Sequence, residues 1–179
     1  MLKGNKAVLR PIKEDDLDHF LKWFNDQEVT RYLMHYLPMT GAYEKRWIEE
    51  TCAKREPIFI IGVPDDDNRI CTIGVCGLHK VNHRNGNAEL GITIGEKDYW
   101  RRGFGFEALK LLIRYGFESL NLHKIYSGAY KKNTGSVNLH LKLGFIKEGE
   151  RTEHVFANGE YHDLIEFGLL RKEWEKSKK

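Results

Sequence analysis

Apolar and polar positions divide the chain into short strands and a few amphipathic helices. Residues 7–12 form a brief apolar run ending around Pro11, the pattern of a first strand. Glu14, Asp15 and Asp16 follow, acids at a helix start, where the dipole favours them. Leu17, Phe20, Leu21 and Phe24 then recur at helical spacing, and that helix ends near Asn25. Residues 29–33 suggest a second short helix, 35–40 a loop around Pro38, and 42–54 a third helix with Trp47, Ile48 and Thr51 on one side. Residues 57–63 and 69–80 are strands of a hairpin, joined by the polar turn 64–68. A polar loop, 81–86, leads to a strand at 88–94. A long helix over 104–120 carries Leu109, Leu112, Ile113, Gly116, Phe117 and Leu120 on its apolar stripe, with Glu107, Lys110, Arg114 and Glu118 opposite. After a strand at 124–130, Asn133 is a natural N-cap for a helix that runs to Leu143 and stops at Gly144-Phe145. Residues 145–156 and 160–170 are the last strands, joined by Asn158-Gly159, a strong type I′ hairpin signal. Residues 171–179 read as a charged, frayed tail.

This order predicts an α/β (α+β) fold: a mixed, mostly antiparallel sheet of about seven strands flanked by helices. At 179 residues and 41% hydrophobic the chain suits one domain, 1–179, with a proper core. Net charge is +3, from 29 basic and 26 acidic residues, too balanced for a nucleic-acid binder. The longest apolar run, 58–61, is far short of a membrane span, and the N-terminus lacks the apolar core of a secretion signal. Cys52, Cys71 and Cys76 are odd in number and lack C-x-x-C spacing, which suits reduced thiols in a cytoplasmic protein. No His/Cys cluster has zinc-ligand spacing, so no metal is expected.

The chemistry concentrates in 87–106, N-A-E-L-G-I-T-I-G-E-K-D-Y-W-R-R-G-F-G-F. Here a strand feeds a helix through a basic, glycine-spaced corner, an arrangement that suits a phosphate. The first helical N–H groups have no partner within the helix, and the helix dipole adds positive potential there. Gly103 and Gly105 let an anion approach the backbone closely; Arg101 and Arg102 add charge. The string is not a P-loop. Nor is it a dinucleotide fingerprint, since Ile125 stands where the ribose-binding acid would be and the nearest acid, Glu118, is still on the helix.

Three strings resemble the Gcn5-related N-acetyltransferase family over nearly the whole chain. W-R-R-G-F-G matches that family's Q/R-x-x-G-x-G/A loop. N-T-G-S-V-N-L-H-L-K-L-G-F is similar to its second signature, N-x-x-A/S-x-x-x-Y-x-x-x-G-F. L-R-P-I-K-E-D-D-L-D-H-F resembles the opening of the branch acting on ribosomal-protein N-termini, polyamines and amino sugars. The resemblance implies a sheet splayed between its two central strands and acetyl-CoA as cosubstrate. It places the CoA contacts at Ile92, Thr93, Ile94, Arg101, Arg102, Gly103, Phe104, Gly105, Phe106, Asn133, Ser136 and Lys142. It implies an acceptor that is a small-molecule or peptide amine, and a homodimer stays open. The chain departs from the family at Trp100, where Gln or Arg is usual, and at His140, where the family has the tyrosine thought to protonate the departing thiolate.

Acetyl transfer to an amine needs an acceptor for the amine's proton, and Glu89 is the best candidate. Strand alternation puts Glu89, Gly91 and Thr93 on one face, with the small Gly91 leaving room in front of the carboxylate. The alternative is an ordinary strand carboxylate facing solvent or a lysine. By resemblance, a main-chain N–H on 92–94 would polarise the thioester carbonyl. Asn133, Ser136 and His140 share a helix face, and an imidazole of pKa about 6.5 can donate to a thiolate of about 8.5. Tyr32 and Tyr36, in a loop region, are candidates to line the acceptor site. A non-catalytic acyl-CoA-binding module is the competing reading: the His140 departure favours it, and Glu89 argues against it.

Overall fold

Local signals in the chain become elements with small changes of boundary. The computed structural model describes residues 1–34, 37–65 and 69–178. Its elements are β1 (Leu2–Lys3), β2 (Val8–Pro11), α1 (Leu17–Phe24), α2 (Gln27–Thr30), α3 (Gly41–Lys54), β3 (Ile58–Pro64), β4 (Ile70–Asn82), β5 (Asn87–Ile94), α4 (Phe104–Glu118), β6 (Lys124–Tyr130), α5 (Thr134–Lys142), β7 (Ile146–Ala157), β8 (Glu160–Leu170) and α6 (Arg171–Lys176). Among the described residues eight strands form one open mixed sheet, flanked by helices, where about seven are expected from the sequence. The addition is β1, two residues antiparallel to β2 and too short to carry a periodic pattern. Among the described residues no helix is long and apolar enough to cross a membrane.

The residues gather into two compact units, Met1–His79 with Gly91–Leu112, and Lys80–Leu90 with Ile113–Lys179. Strands β4 and β5 and helix α4 pass through both. In the first unit the strand order is β1-β2-β3-β4-β5, and β1 to β4 pair antiparallel. Its core joins Ile12, Phe20, Trp23, Val29, Ile48, Ile58, Ile60 and Val75. Phe20 meets Trp23 and Trp47 edge-on, at 5.9 and 5.5 Å between ring centres. Each such aromatic pair adds about 0.5–1.5 kcal/mol beyond its buried area.

The acid run 14–16 does more than start a helix. Asp16 is buried, and Arg10 grips it with two hydrogen bonds, 2.8 Å to Oδ2 and 2.5 Å to Oδ1. The Lys13 amide and the Arg10–Thr72 hydrogen bond complete the cluster, tying β2 to α1 and β4. Burial alone would raise the Asp16 carboxyl pKa; the Arg10 bonds and the Lys13 amide outweigh it and hold it below the usual carboxylate range. A buried acid needs such partners, and this fixes the opening R-P-I-K-E-D-D string as a structural clamp.

In the second unit the order is β5-β6-β8-β7. β5 and β6 are parallel, joined by the crossover helix α4. β8 is antiparallel to both its neighbours. Asn158 and Gly159 have φ of 54° and 81°, the two positive values a type I′ turn demands. Where the sequence suggests a frayed tail, residues 171–176 are helical. They form α6, whose Trp174 packs 5.0 Å from Phe117. Arg171 donates to the carbonyls of Phe117 and Leu122, and Lys178 pairs with Glu118 at 2.5 Å. The carbonyls that end α4 lack helical partners and carry the negative dipole end, so a basic segment docks there.

Candidate active site

The corner between β5 and α4 is built as its composition implies. A single 3-10 turn, Lys97–Tyr99, and extended Trp100 bring the chain to Arg101, with φ of 58°, and Gly103, with φ of 88°. The first bond of α4 runs from the Glu107 amide to the Gly103 carbonyl, 3.1 Å, so the N–H groups of Phe104, Gly105 and Phe106 precede any helical acceptor. A Cβ at Gly103 would meet nothing within 4 Å, so there is open space at this glycine, the residue before these donors. Arg102 is folded back: it donates to the Asp98 carbonyl at 3.2 Å and lies over the rings of Tyr99 and Phe104. Arg101 is exposed and makes no ion pair among the described residues. The donors, the open space and an uncommitted guanidinium fit a pyrophosphate.

Glu107, read from the sequence as a solvent-face residue, sits in the first turn of α4 and is already spoken for. Its Oε1 accepts the amides of Asn5 and Lys6, which ties the N-terminal segment to the helix and occupies the carboxylate's charge.

Trp100 explains its own departure from the expected Gln or Arg. Its indole N–H donates to the Ile94 carbonyl at 2.7 Å, locking the end of β5 to the corner. Beneath, Trp23 is fully buried against Gly95: a Cβ there would lie 2.1 Å from the indole ring. Glu96 accepts from both Trp23 Nε1, 2.9 Å, and Lys22 Nζ, 2.7 Å. The segment between strand and cradle is therefore held rigidly.

The ladder between β5 and β6 covers only Asn87–Lys124 to Glu89–Tyr126, although both strands run on. Beyond it, the buried Ser127 hydroxyl donates to the Leu90 carbonyl at 2.9 Å, so a side chain takes an acceptor in place of the ladder. Ile92, Thr93 and Ile94 follow, all half-buried, and the alternating burial of a covered strand is lost. The ladder thus ends before Ile92, Thr93 and Ile94, the residues of β5 that the resemblance assigns to CoA.

Glu89 is half-buried and faces a lysine: Lys80 Nζ lies 2.7 Å from its Oε2. Its carboxylate accepts from Lys80, and that hydrogen bond and charge hold the Lys80 ammonium pKa above the usual lysine value. Lys80 was not legible as a partner, because its own left-handed backbone, φ of 50°, departs from the regular strand alternation by which partners are counted.

On α5, Asn133 caps the helix as expected: its Oδ1 accepts the Ser136 amide at 3.1 Å. Ser136 is half-buried and Lys142 exposed. His140 has surroundings that its place in the motif does not reveal. It is 2% exposed, stacked on Phe167 at 4.8 Å and edge-on to Phe145 at 5.2 Å. Burial pushes its pKa below 6.5, and the 2.7 Å hydrogen bond from Nδ1 to the Ser136 carbonyl only partly opposes this. The neutral ring that results donates through Nδ1, which leaves Nε2 an enclosed acceptor without a partner among the described residues. Such a ring is poorly suited to protonate a thiolate. Tyr32 is half-buried in the turn after α2, with the Arg31 guanidinium 5.3 Å above its ring; Tyr36 lies outside the described residues.

The family model for the acetyltransferase (GNAT) domain matches residues 6–146, spanning the cradle, β5 and α5. The chain belongs to the GNAT acetyltransferase family. It is accordingly an acetyl-CoA-dependent N-acetyltransferase. Among its relatives is an uncharacterized N-acetyltransferase, p20, of Bacillus licheniformis, 34% identical over 97% of each chain. The spermidine N(1)-acetyltransferase of Escherichia coli K12 is 28% identical, over 97% of this chain and 91% of that one. In fold, this acetyltransferase resembles the spermidine N-acetyltransferase of Vibrio cholerae crystallised with CoA and spermine: TM-score 0.85, 24% identity, 96% and 99% of the two chains covered.

Proposed function

We propose that this GNAT acetyltransferase moves the acetyl group of acetyl-CoA directly onto a primary amine, with Glu89 taking the amine's proton. The amine nitrogen attacks the thioester carbon, the C–N bond forms, the C–S bond breaks, and sulfur leaves as a thiolate. The observation that carries this reading is the corner, with three helix-end amides and Arg101 around open space at Gly103. These groups suit the CoA pyrophosphate. Main-chain N–H groups of Ile92, Thr93 and Ile94, beyond the end of the β5–β6 ladder, are the candidates to receive the developing oxyanion. Asn133, Ser136 and Lys142 are the candidate pantetheine and phosphate contacts on α5.

The acceptor class is a small-molecule or peptide amine, and a polyamine is the first to try, because a full-length relative carries that activity in its name. A polyamine site would be lined with acids, but two acids of α3 lend this little support. Glu44 is buried, with its carboxyl pushed up to about 7 by burial, and Glu50 is paired with Lys54. CoA thiol release with spermidine, an alanine-terminated peptide and glucosamine tests the reading. Acetylation of at least one is expected. Tight CoA binding with no thiol release from any of them would turn the reading toward a non-catalytic acyl-CoA module.

Solvent, rather than His140, is assigned the proton for the departing thiolate. His140→Phe should keep kcat within about threefold of wild type, with no change in the pH profile. A loss of more than tenfold, together with the disappearance of an alkaline limb, would return the acid role to His140. Stability gives a second readout. The folded-state pKa lies below the unfolded value of about 6.5, so the unfolded chain binds more protons. The contribution of a neutral His140 is therefore complete above about pH 6.5 and lost as pH falls through and below it. Urea midpoints of wild type and His140→Phe between pH 8 and pH 5 should diverge in favour of the variant on the acid side; parallel curves would contradict a buried neutral ring.

A further inference from the structure

In a regular strand neighbouring side chains point to opposite faces. β4 breaks this rule beside Glu89. His79 reaches the face of β5 that carries Gly91: a Cβ on Gly91 would lie 3.1 Å from its Nε2. Lys80, the next residue, reaches that same face to pair with Glu89 at 2.7 Å, since Glu89 and Gly91 are two apart. Two consecutive residues can share a face only at a bulge, and Lys80 supplies it with a φ of 50°. A left-handed backbone is costly for a residue with a side chain. The strained conformation aims one ammonium at one carboxylate.

We propose that Lys80 is an internal stand-in for the acceptor's ammonium, holding Glu89 until an incoming amine displaces it. The inference rests on the reading of Glu89 as base. The groups beside Glu89 are Lys80, which pairs with it, and Tyr126 from β6, opposite it in the parallel ladder. Among these, only Lys80 carries a fixed positive charge. Its side chain is 73% exposed, so it has water to swing into when displaced. The Lys80 ammonium is held charged by its partner, which keeps the lock closed across the neutral pH range. The arrangement sets a threshold: a neutral or weakly held acceptor does not open it, whereas a cationic amine exchanges one ion pair for another. Lys80 is thus a positioning and specificity residue, acting on acceptor affinity and not on the chemical step.

The test is steady-state kinetics of Lys80→Met and Lys80→Arg with spermidine, the alanine-terminated peptide and glucosamine. For whichever of these the wild type acetylates, KM should fall about two- to fivefold in Lys80→Met, the range for losing one competing exposed ion pair. Its kcat should change less than twofold, and Lys80→Arg should restore the wild-type KM. An unchanged or raised KM in Lys80→Met overturns the proposal, while Glu89→Gln tests the base independently. If none of the three is acetylated, the functional reading has failed, and amine-reactive labelling of Lys80 in the CoA-bound protein decides displacement by itself. Labelling that rises about two- to fivefold on adding butyltrimethylammonium, a cation the reagent does not consume, and is already high and insensitive to it in Glu89→Gln, supports displacement. Labelling unaffected by either change refutes it.

Discussion

Gly103→Glu is expected to lose CoA binding while the protein stays folded. Two effects act together. Gly103 has a φ of 88°, which a residue with a Cβ adopts only at a cost of about 1–2 kcal/mol. The new carboxylate would also stand in the open space at this glycine, the residue before the amides of Phe104, Gly105 and Phe106. A unit charge about 4 Å from a phosphate charge near a protein surface repels it by roughly 4 kcal/mol, on the order of 10²–10³-fold in affinity. Gly103→Ala separates the two effects, since it carries the backbone cost without the charge. Calorimetric titration of CoA should show Gly103→Ala binding within about tenfold of wild type and Gly103→Glu not binding measurably. Equal CoA affinity in folded Gly103→Glu and wild type would remove the pyrophosphate from this corner.

Glu89→Gln should lower kcat/KM on the order of 10²-fold or more, the scale of losing a general base. The amide keeps the shape and the place on β5 but cannot take a proton. CoA affinity should stay within about twofold, because Glu89 precedes the cradle by a strand end and a turn. Little stability should be lost either, since the pair with Lys80 is exposed on the lysine side and such pairs are worth about 0–1 kcal/mol. A rate loss below about threefold at every pH would make Glu89 a structural partner of Lys80 and nothing more.

Legibility from sequence was uneven, and the particular residues show why. The Asn158-Gly159 turn, the Asn133 cap and the Gly144 helix stop were readable because each depends on the backbone of a few neighbours. The cradle was readable for the same reason: glycines, arginines and a helix start lie within one short string. Strand alternation singled out Glu89 as a candidate base, but not the lysine it pairs with. Lys80 has a left-handed backbone, and alternation counted along a regular strand misses where its side chain goes. Trp100 looked like a bare departure from a motif until its indole was seen to hold the Ile94 carbonyl. For His140 the motif position suggested an acid, while its surroundings depend on Phe167, which arrives from β8.

The sequence by itself determined the order of strands and helices, the glycine-spaced basic corner and the family. Those follow from hydrophobic period, turn chemistry and backbone donors, which are properties of short stretches of chain. Only the tertiary structure decided the charge state and partners of the titratable residues. Asp16 became a clamped, buried anion because Arg10 crosses from β2 to meet it. The C-terminal residues became an ordered helix because Phe117 and its neighbours offer a ring and unpaired carbonyls to Trp174 and Arg171. His140 became a neutral packed ring because two phenylalanines take water away from it. Desolvation and ion pairing depend on what long-range packing brings within a few ångströms, and no local pattern encodes that distance.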